Sequence, residues 1–139
     1  MLTDEQREQL IQIAQHTRQW AYAPYSNYQV GAALLTTSGR IYEGVNIENA
    51  AYPTGMCAER VAIFKAVSEG ERQFEAIAVV TRNGGTPCGA CRQVVAEFGQ
   101  DTIILIANDQ GQIIQETRIK ELLPSAFGPN DLNESPIKG

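Results

Sequence analysis

The chain has 139 residues, enough for one domain of ordinary size, and its hydrophobic fraction of 43% suffices for a buried core. The formal net charge is −5 and lysine and arginine form no dense cluster, which argues against a nucleic-acid binder and favours a small-molecule substrate. The polar, acidic N-terminus and the absence of a long apolar run predict a cytoplasmic protein with no membrane partner.

Residue periodicity in the N-terminal half predicts two helices and a pair of strands. A stripe of apolar residues at helical spacing predicts the first helix, and Pro24 follows its end. The turn Thr37-Ser38-Gly39-Arg40 predicts that the two strands form an antiparallel hairpin. The predicted elements are a helix from Asp4 to about Tyr22, strands over Tyr28–Leu35 and Ile41–Asn46, a loop over Glu48–Met56, and a helix from Cys57 to Gly70.

The C-terminal half alternates strands with helices in the same way. Its predicted elements are a strand over Glu75–Thr81, a helix from about Cys88 to Gly99, strands over Thr102–Ala107 and Gln112–Glu116, and a helical turn over Ile119–Leu123. The apolar run Thr102–Ala107 predicts a strand buried on both faces, and the polar segment Ser125–Gly139 is expected to be a tail or arm. The whole pattern predicts one α/β domain over residues 1–139, a three-layer α/β/α sandwich around a mixed five-stranded sheet.

The three cysteines lie in two short stretches, Cys57-Ala58-Glu59-Arg60 and Pro87-Cys88-Gly89-Ala90-Cys91. An odd number argues against a disulfide framework. Each stretch opens a predicted helix, whose N-terminus favours the thiolate form of cysteine. Three thiolates can hold a zinc ion and leave one tetrahedral position open, and the pattern C-x-E…P-C-x-x-C is typical of zinc deaminases.

Glu59 follows the first sulfur by two residues, and we predict that it carries protons at the open position. Zinc lowers the pKa of a water there from about 15.7 towards about 7. Glu59 would accept its proton, pass it to a ring nitrogen of the substrate and later protonate a leaving amine. Because zinc with three thiolates carries a formal charge of about −1, we expect Arg60, and a hydrogen bond from Gln93 to a sulfur, to compensate that charge.

Two other interpretations of the cysteines stay open at this stage. A structural zinc site needs a fourth ligand. The single histidine, His16, lies away from the apolar stripe of its helix, so we expect it to be an exposed or capping residue and not a zinc ligand. A carboxylate could still be the fourth ligand. The pair Cys88 and Cys91 also matches the C-x-x-C of thioredoxin-like redox proteins, although Cys57 and Glu59 have no role in that chemistry.

Several stretches unrelated to zinc extend the pattern from about Tyr22 to Phe127. They are Tyr22-Ala23-Pro24-Tyr25-Ser26, Gln29-Val30-Gly31-Ala32-Ala33-Leu34, Asn46-Ile47-Glu48-Asn49-Ala50 and Lys65-Ala66-Val67-Ser68-Glu69-Gly70. With the cysteine motifs, they resemble the cytidine deaminase family, in its small homotetrameric three-cysteine form. The resemblance implies zinc-dependent deamination of cytidine and 2′-deoxycytidine to uridine and 2′-deoxyuridine in pyrimidine salvage. It assigns one zinc per subunit to Cys57, Cys88 and Cys91.

The same resemblance assigns substrate contacts. Asn46 and Glu48 would hold the sugar, chiefly through its 3′-hydroxyl, and the backbone of Ala58 would contact the pyrimidine carbonyl. Tyr52 and Phe127 would reach the site of a neighbouring subunit, with Phe127 packing on the base.

Position 28 is a departure, because the family commonly has phenylalanine where this chain has Tyr28. The ring would line the nucleoside pocket, while the added hydroxyl would either bond the sugar or point to solvent. Another aminopyrimidine, or an antibiotic such as blasticidin S, remains an alternative substrate.

Overall fold

The structure is a computed structural model that describes residues 2–133. Most of the predicted tail therefore belongs to the described chain, and residues 134–139 lie outside it. Five strands form one sheet: β1 (Gly31–Thr36), β2 (Ile41–Val45), β3 (Phe74–Val80), β4 (Ile103–Ala107) and β5 (Ile113–Arg118). Their order is β2-β1-β3-β4-β5, and β3 and β4 are parallel while the other neighbours are antiparallel. The prediction of a mixed five-stranded sheet is confirmed.

Helices cover both faces of the sheet, which confirms the three-layer prediction. They are α1 (Asp4–Thr17), α2 (Ala58–Ser68), α3 (Gly89–Glu97), α4 (Ile119–Leu122) and α5 (Pro129–Asn133). On one face, Leu10, Ile11 and Ala14 of α1 pack in one buried cluster with β1, β3 and β4. On the other face, residues of α2, α3 and α4 form the second cluster. Every residue of β4 is buried and the strand contributes to both clusters, as its apolar sequence predicted.

Most element boundaries agree with the sequence prediction within two residues, and the two larger differences have physical reasons. The helix α1 stops at Thr17, because Arg18–Trp20 tighten into a 3₁₀ turn that the Ala21 N–H closes on the Arg18 carbonyl. Strand β1 starts at Gly31, since the N–H of the residue before it donates to a side chain and not to a neighbouring strand: Asn46 Oδ1 accepts from the Val30 N–H at 2.9 Å.

The position of α2 depends on Gly44 in β2. A Cβ at this residue would lie 2.3 Å from the Ala58 carbonyl oxygen and 2.6 Å from the Ala62 nitrogen, so only glycine lets the helix approach the strand so closely. This contact sets where α2 begins, and hence where Cys57 lies. Among residues 2–133, no helix is long and apolar enough to cross a membrane.

Candidate active site

The three cysteines meet where α2 and α3 begin. Cys57 and Cys88 are the residues immediately before these helices, both in extended backbone conformations, and Cys91 lies in the first turn of α3. Within residues 2–133, neither Cys57 nor Cys88 caps its own helix with its sulfur, which leaves both sulfurs for other partners. The positive ends of two helix dipoles point at the cluster and favour negative charge there.

The sulfur separations suit one tetrahedral metal ion. The Sγ atoms of Cys57 and Cys88 are 3.8 Å apart, those of Cys88 and Cys91 are 3.4 Å apart, and all three lie within 4.8 Å of one another. Zinc–sulfur bonds of about 2.3 Å in tetrahedral geometry place sulfurs about 3.8 Å apart. In the described chain no histidine, aspartate or glutamate joins this group, so the fourth ligand required by the structural-zinc interpretation is missing.

The ionisation of the cysteine thiols depends on Arg60 and on the hydrogen bonds between the sulfurs. Hydrogen bonds from the Cys91 thiol and from Arg60 lower the pKa of Cys57 to about 5, and Arg60 Nη2 lies 3.4 Å from its sulfur. Donating to Cys57 raises the pKa of Cys91, as burial also does. Ionising all three sulfurs therefore needs a cation, and a divalent ion supplies it. Arg60 Nε is buried with no hydrogen-bond partner among residues 2–133, and Arg60 belongs to none of the carboxylate ion pairs of those residues. Its charge is therefore not neutralised by a carboxylate there.

Glu59 lies in the first turn of α2 beside this cluster and is only 5% exposed. Burial, reinforced by the negative charge of Cys57, raises the pKa of its carboxyl to about 7. A carboxyl with a pKa near neutrality can both accept and release a proton, which is the property required of a general acid–base group.

A cavity of about 520 Å³ opens next to Cys57. This volume suits a small molecule. Its walls come from the loop after α1 and the segment between β2 and α2, namely Tyr25, Ser26, Asn46, Ile47, Glu48, Asn49, Tyr52, Gly55, Met56 and Cys57. Two of the predicted sugar ligands, Asn46 and Glu48, are thus brought together with a sulfur of the metal cluster. Tyr52 forms the rim, 75% exposed and in edge contact with the Tyr25 ring at 5.9 Å between centroids.

The polar side chains in this wall are fixed by backbone contacts. The carboxylate of Glu48 accepts from the N–H groups of Tyr25 at 3.0 Å and Ser26 at 3.1 Å, and from the Ser26 hydroxyl. These bonds, that of the hydroxyl above all, lower the pKa of Glu48. Asn46 Nδ2 donates to the Tyr28 carbonyl oxygen at 2.8 Å. The pocket is therefore held in shape by the same groups that the resemblance assigned to the sugar.

Comparison with known proteins decides the family. A family model for the zinc-binding region of cytidine and deoxycytidylate deaminases matches residues 4–107. A cytidine deaminase of Halalkalibacterium halodurans is 53% identical over 131 residues, which is 92% of this chain and 98% of that protein. This chain belongs to the cytidine deaminase family. It is therefore a zinc-binding hydrolytic deaminase, and the C-x-x-C redox interpretation is set aside.

A solved structure of a cytidine deaminase has a fold similar to that of this chain. The crystal structure of cytidine deaminase from Burkholderia pseudomallei matches with a TM-score of 0.82 at 46% identity, over 91% of this chain and 100% of that one. A blasticidin-S deaminase of Bacillus cereus is less similar, 30% identical over 136 residues, which is 91% of this chain and 95% of that protein.

The Tyr28 hydroxyl of this cytidine deaminase family member follows neither expectation from the sequence, which were a bond to the sugar and exposure to solvent. It donates to Asn83 Oδ1 at 2.7 Å, and the Arg82 guanidinium lies over the ring, 5.2 Å from its centroid. Gly85 makes room for it, because a Cβ there would lie 2.5 Å from the hydroxyl oxygen. Tyr28 is absent from the pocket wall of the described chain. Its hydroxyl holds the loop before Cys88, and no sequence signal marked Asn83 as its partner.

Replacing Tyr28 by phenylalanine removes this hydroxyl alone. We expect the free energy of unfolding to fall by about 1 kcal/mol, the usual contribution of one hydrogen bond. The ratio of the KM values for cytidine and 2′-deoxycytidine should stay unchanged. Asn83→Ala is the matched control; it also removes the acceptor of the Thr81 hydroxyl, so the double variant should lose no more than Asn83→Ala alone. A changed KM ratio in Tyr28→Phe alone would instead place the hydroxyl on the sugar.

The remaining predicted residues lie on α2, α3 and the C-terminal segment. Ala58 is the first residue of α2 and is fully buried beside Cys57. The expectation for Gln93 differs from the structure: its Nε2 donates to the Phe127 carbonyl oxygen at 2.8 Å, because the C-terminal segment packs against α3 there. The ring of Phe127 is 57% exposed.

Proposed function

We propose that this chain hydrolyses cytidine and 2′-deoxycytidine to uridine and 2′-deoxyuridine, releasing ammonia, in pyrimidine salvage. The observation that carries the proposal is a cluster of three sulfurs, joined by no fourth protein ligand among residues 2–133, that adjoins both a buried carboxyl and a pocket of about 520 Å³. Membership of the family supports the same reaction.

Cys57, Cys88 and Cys91 are the proposed zinc ligands, since their sulfurs fit a tetrahedral ion. Zinc when bound supplies a Lewis acid at the remaining position. Glu59 is the proposed catalytic residue. Its carboxylate would accept a proton from the attacking water and deliver it to the pyrimidine ring nitrogen. It would then accept the remaining proton of the hydroxyl added to the ring and pass it to the leaving amine, and a pKa of about 7 suits both transfers.

Arg60 is proposed to compensate the negative charge of three thiolates, and its contact with Cys57 supports this role. For Gln93 we propose a different part from the one expected of its sequence position. Its bond to the Phe127 carbonyl oxygen holds the segment that presents the Phe127 ring.

The proposed sugar ligands keep capacity for a substrate. Oε1 of Glu48 accepts both N–H bonds and Oε2 accepts the Ser26 hydroxyl, so one lone pair is left on Oε2, and Asn46 keeps one N–H. We propose that these groups bind the 3′-hydroxyl of the sugar and that the backbone at Ala58 binds the pyrimidine carbonyl. Tyr28 supports this pocket from behind through its bond to Asn83.

An absorbance assay for loss of the 4-amino group tests the reaction. Cytidine, 2′-deoxycytidine, cytosine and blasticidin S should be compared, each with and without a zinc chelator. We expect turnover of both nucleosides, little turnover of free cytosine because it lacks the sugar that Asn46 and Glu48 bind, and loss of activity with the chelator. Preference for blasticidin S, or activity that persists in a chelator that has removed all zinc, would contradict the proposal.

We propose that the chain works as a cytoplasmic homotetramer whose sites are completed by Tyr52 and Phe127 of neighbouring subunits. Both rings are large and exposed, 75% and 57%, and Tyr52 stands at the rim of the pocket. Exposed apolar surface of this kind marks an interaction site. The acidic net charge of −5 argues against nucleic acid as the partner.

Subunit mixing tests whether Phe127 acts in a neighbour's site. Glu59→Gln chains lack the proton carrier and Phe127→Ala chains lack the ring. Tetramers reassembled from both should contain sites with an intact Glu59 and a neighbour's intact Phe127. We expect such mixtures to recover turnover at low cytidine concentration. A mixture no more active than the sum of its unmixed parents would show that Phe127 serves its own subunit. Light scattering independently gives the number of 15.2 kDa chains in the assembly.

A further inference from the structure

Arg92 of α3 has no role in the site described so far, yet its side chain makes three hydrogen bonds close to the sulfurs. Its Nε donates to the Pro87 carbonyl oxygen at 2.8 Å, Nη2 to the Thr86 hydroxyl at 3.2 Å, and Nη1 to the Leu122 carbonyl oxygen at 2.9 Å. All three acceptors are neutral, and Arg92 belongs to none of the ion pairs among the described residues. The guanidinium is therefore used as a planar set of donors with fixed directions.

Two of these bonds hold the chain just before Cys88. Cys88 is the exposed member of the sulfur cluster, whereas Cys91 is buried in α3. Residues 81–88 form no helix or strand that would fix the position of the Cys88 sulfur. Thr86 and Pro87 directly precede it, and the backbone N–H of Arg92 donates to the Cys88 carbonyl oxygen at 3.0 Å. That backbone bond is the ordinary first hydrogen bond of α3, so the helix holds the chain after Cys88, while the Arg92 side chain holds it before Cys88.

The third bond joins this loop to the C-terminal segment. Leu122 is the last residue of α4, where carbonyl groups have no partner within the helix. The next residue along α3, Gln93, holds the Phe127 carbonyl oxygen at 2.8 Å. Adjacent side chains of α3 therefore fasten both ends of residues 122–127, the segment that presents the Phe127 ring.

We propose that Arg92 is a positioning residue of the metal centre: its three donors hold Cys88 where it retains zinc, and couple that position to residues 122–127. The proposal rests on the proposed zinc ligands. Lysine keeps the charge of arginine but has one ammonium nitrogen, which cannot span three acceptors in different directions. Shape, and not charge alone, is therefore the property to test.

The test uses zinc-loaded full-length protein and measures the rate at which a chromogenic chelator removes the metal. We expect Arg92→Lys and Arg92→Ala to release zinc about tenfold faster than the unaltered chain or more, as loss of outer groups at metal sites commonly does. Amide hydrogen exchange in residues 122–127 should also speed up in both variants. Arg72→Lys is the matched control, since Arg72 bonds the Val67 and Glu71 carbonyl oxygens at the far end of α2 and should change neither rate.

Unchanged zinc release in Arg92→Lys overturns the proposal, and so does an effect in Arg92→Ala that lysine fully restores, because charge would then suffice. If the Arg92 variants fail to fold, Thr86→Val removes one acceptor while keeping the side-chain shape. It should speed zinc release, and an unaltered rate overturns the proposal. A wild-type chain that binds no zinc refutes the three-sulfur centre as well, whereas normal zinc binding with unaffected variants refutes the role of Arg92 alone.

Discussion

Glu59→Gln is expected to lower kcat by about 10³-fold or more while one zinc per chain remains bound, since proton transfer by a positioned group contributes up to about 10⁴-fold. Glutamine has nearly the shape of glutamate but cannot carry a proton at neutral pH. Steady-state kinetics and metal analysis of the same sample give the two readouts. Glu43→Gln, on the exposed side of β2, is the matched control and should keep full activity. Substantial turnover by Glu59→Gln would remove Glu59 from the mechanism.

The same variant tests the burial of Glu59 without any substrate. In metal-free protein, burial raises the pKa of this carboxyl to about 7 in the folded state, from its ordinary value of 4.5. The folded state then binds more protons than the unfolded state between these values, so stability falls as the pH rises from about 4.5 to about 7. Removing the group should therefore stabilise metal-free protein at pH 8, by up to about 3 kcal/mol, and have little effect at pH 4. Denaturation of chelator-treated protein at both pH values measures this, and equal effects at both would contradict it.

Cys91→Ser is expected to abolish zinc retention and, with it, both activity and the stabilisation that zinc gives. Serine leaves only two sulfurs, and Cys91 is fully buried, so no other group can take its place at the cluster. A ligand present at about a thousand times its Kd stabilises the folded state by about 4 kcal/mol, and the variant should lose this stabilisation by zinc. Thermal denaturation and zinc analysis provide the measurements.

The control for this prediction is the chelator itself. Added chelator should lower the Tm of the unaltered chain but leave the Tm of Cys91→Ser where it was, because that variant has no bound metal to lose. A chelator effect of the same size in both proteins would mean that the stabilising metal lies elsewhere, and it would contradict the assignment of Cys91 as a ligand.

The fold class and the metal chemistry could be predicted from local patterns in the amino-acid sequence. Alternation and apolar runs predicted the five strands and the deep burial of β4, because these are properties of neighbours along one strand. The motif around Cys88 and Cys91 was equally local, since residues three apart lie on one side of a helix. The carboxyl of Glu59 was found from its spacing to Cys57 in the same way.

The distant partners of the polar side chains, by contrast, depend on how the elements pack together. Tyr28 bonds Asn83, Gln93 bonds Phe127, and Arg92 reaches Leu122 across 30 positions of sequence. The sequence indicated sugar or solvent for the first of these and a sulfur for the second. No periodicity encodes such pairs, because the direction of a long polar side chain is set by whichever unpaired carbonyl or amide the packing of separate elements brings within about 3 Å.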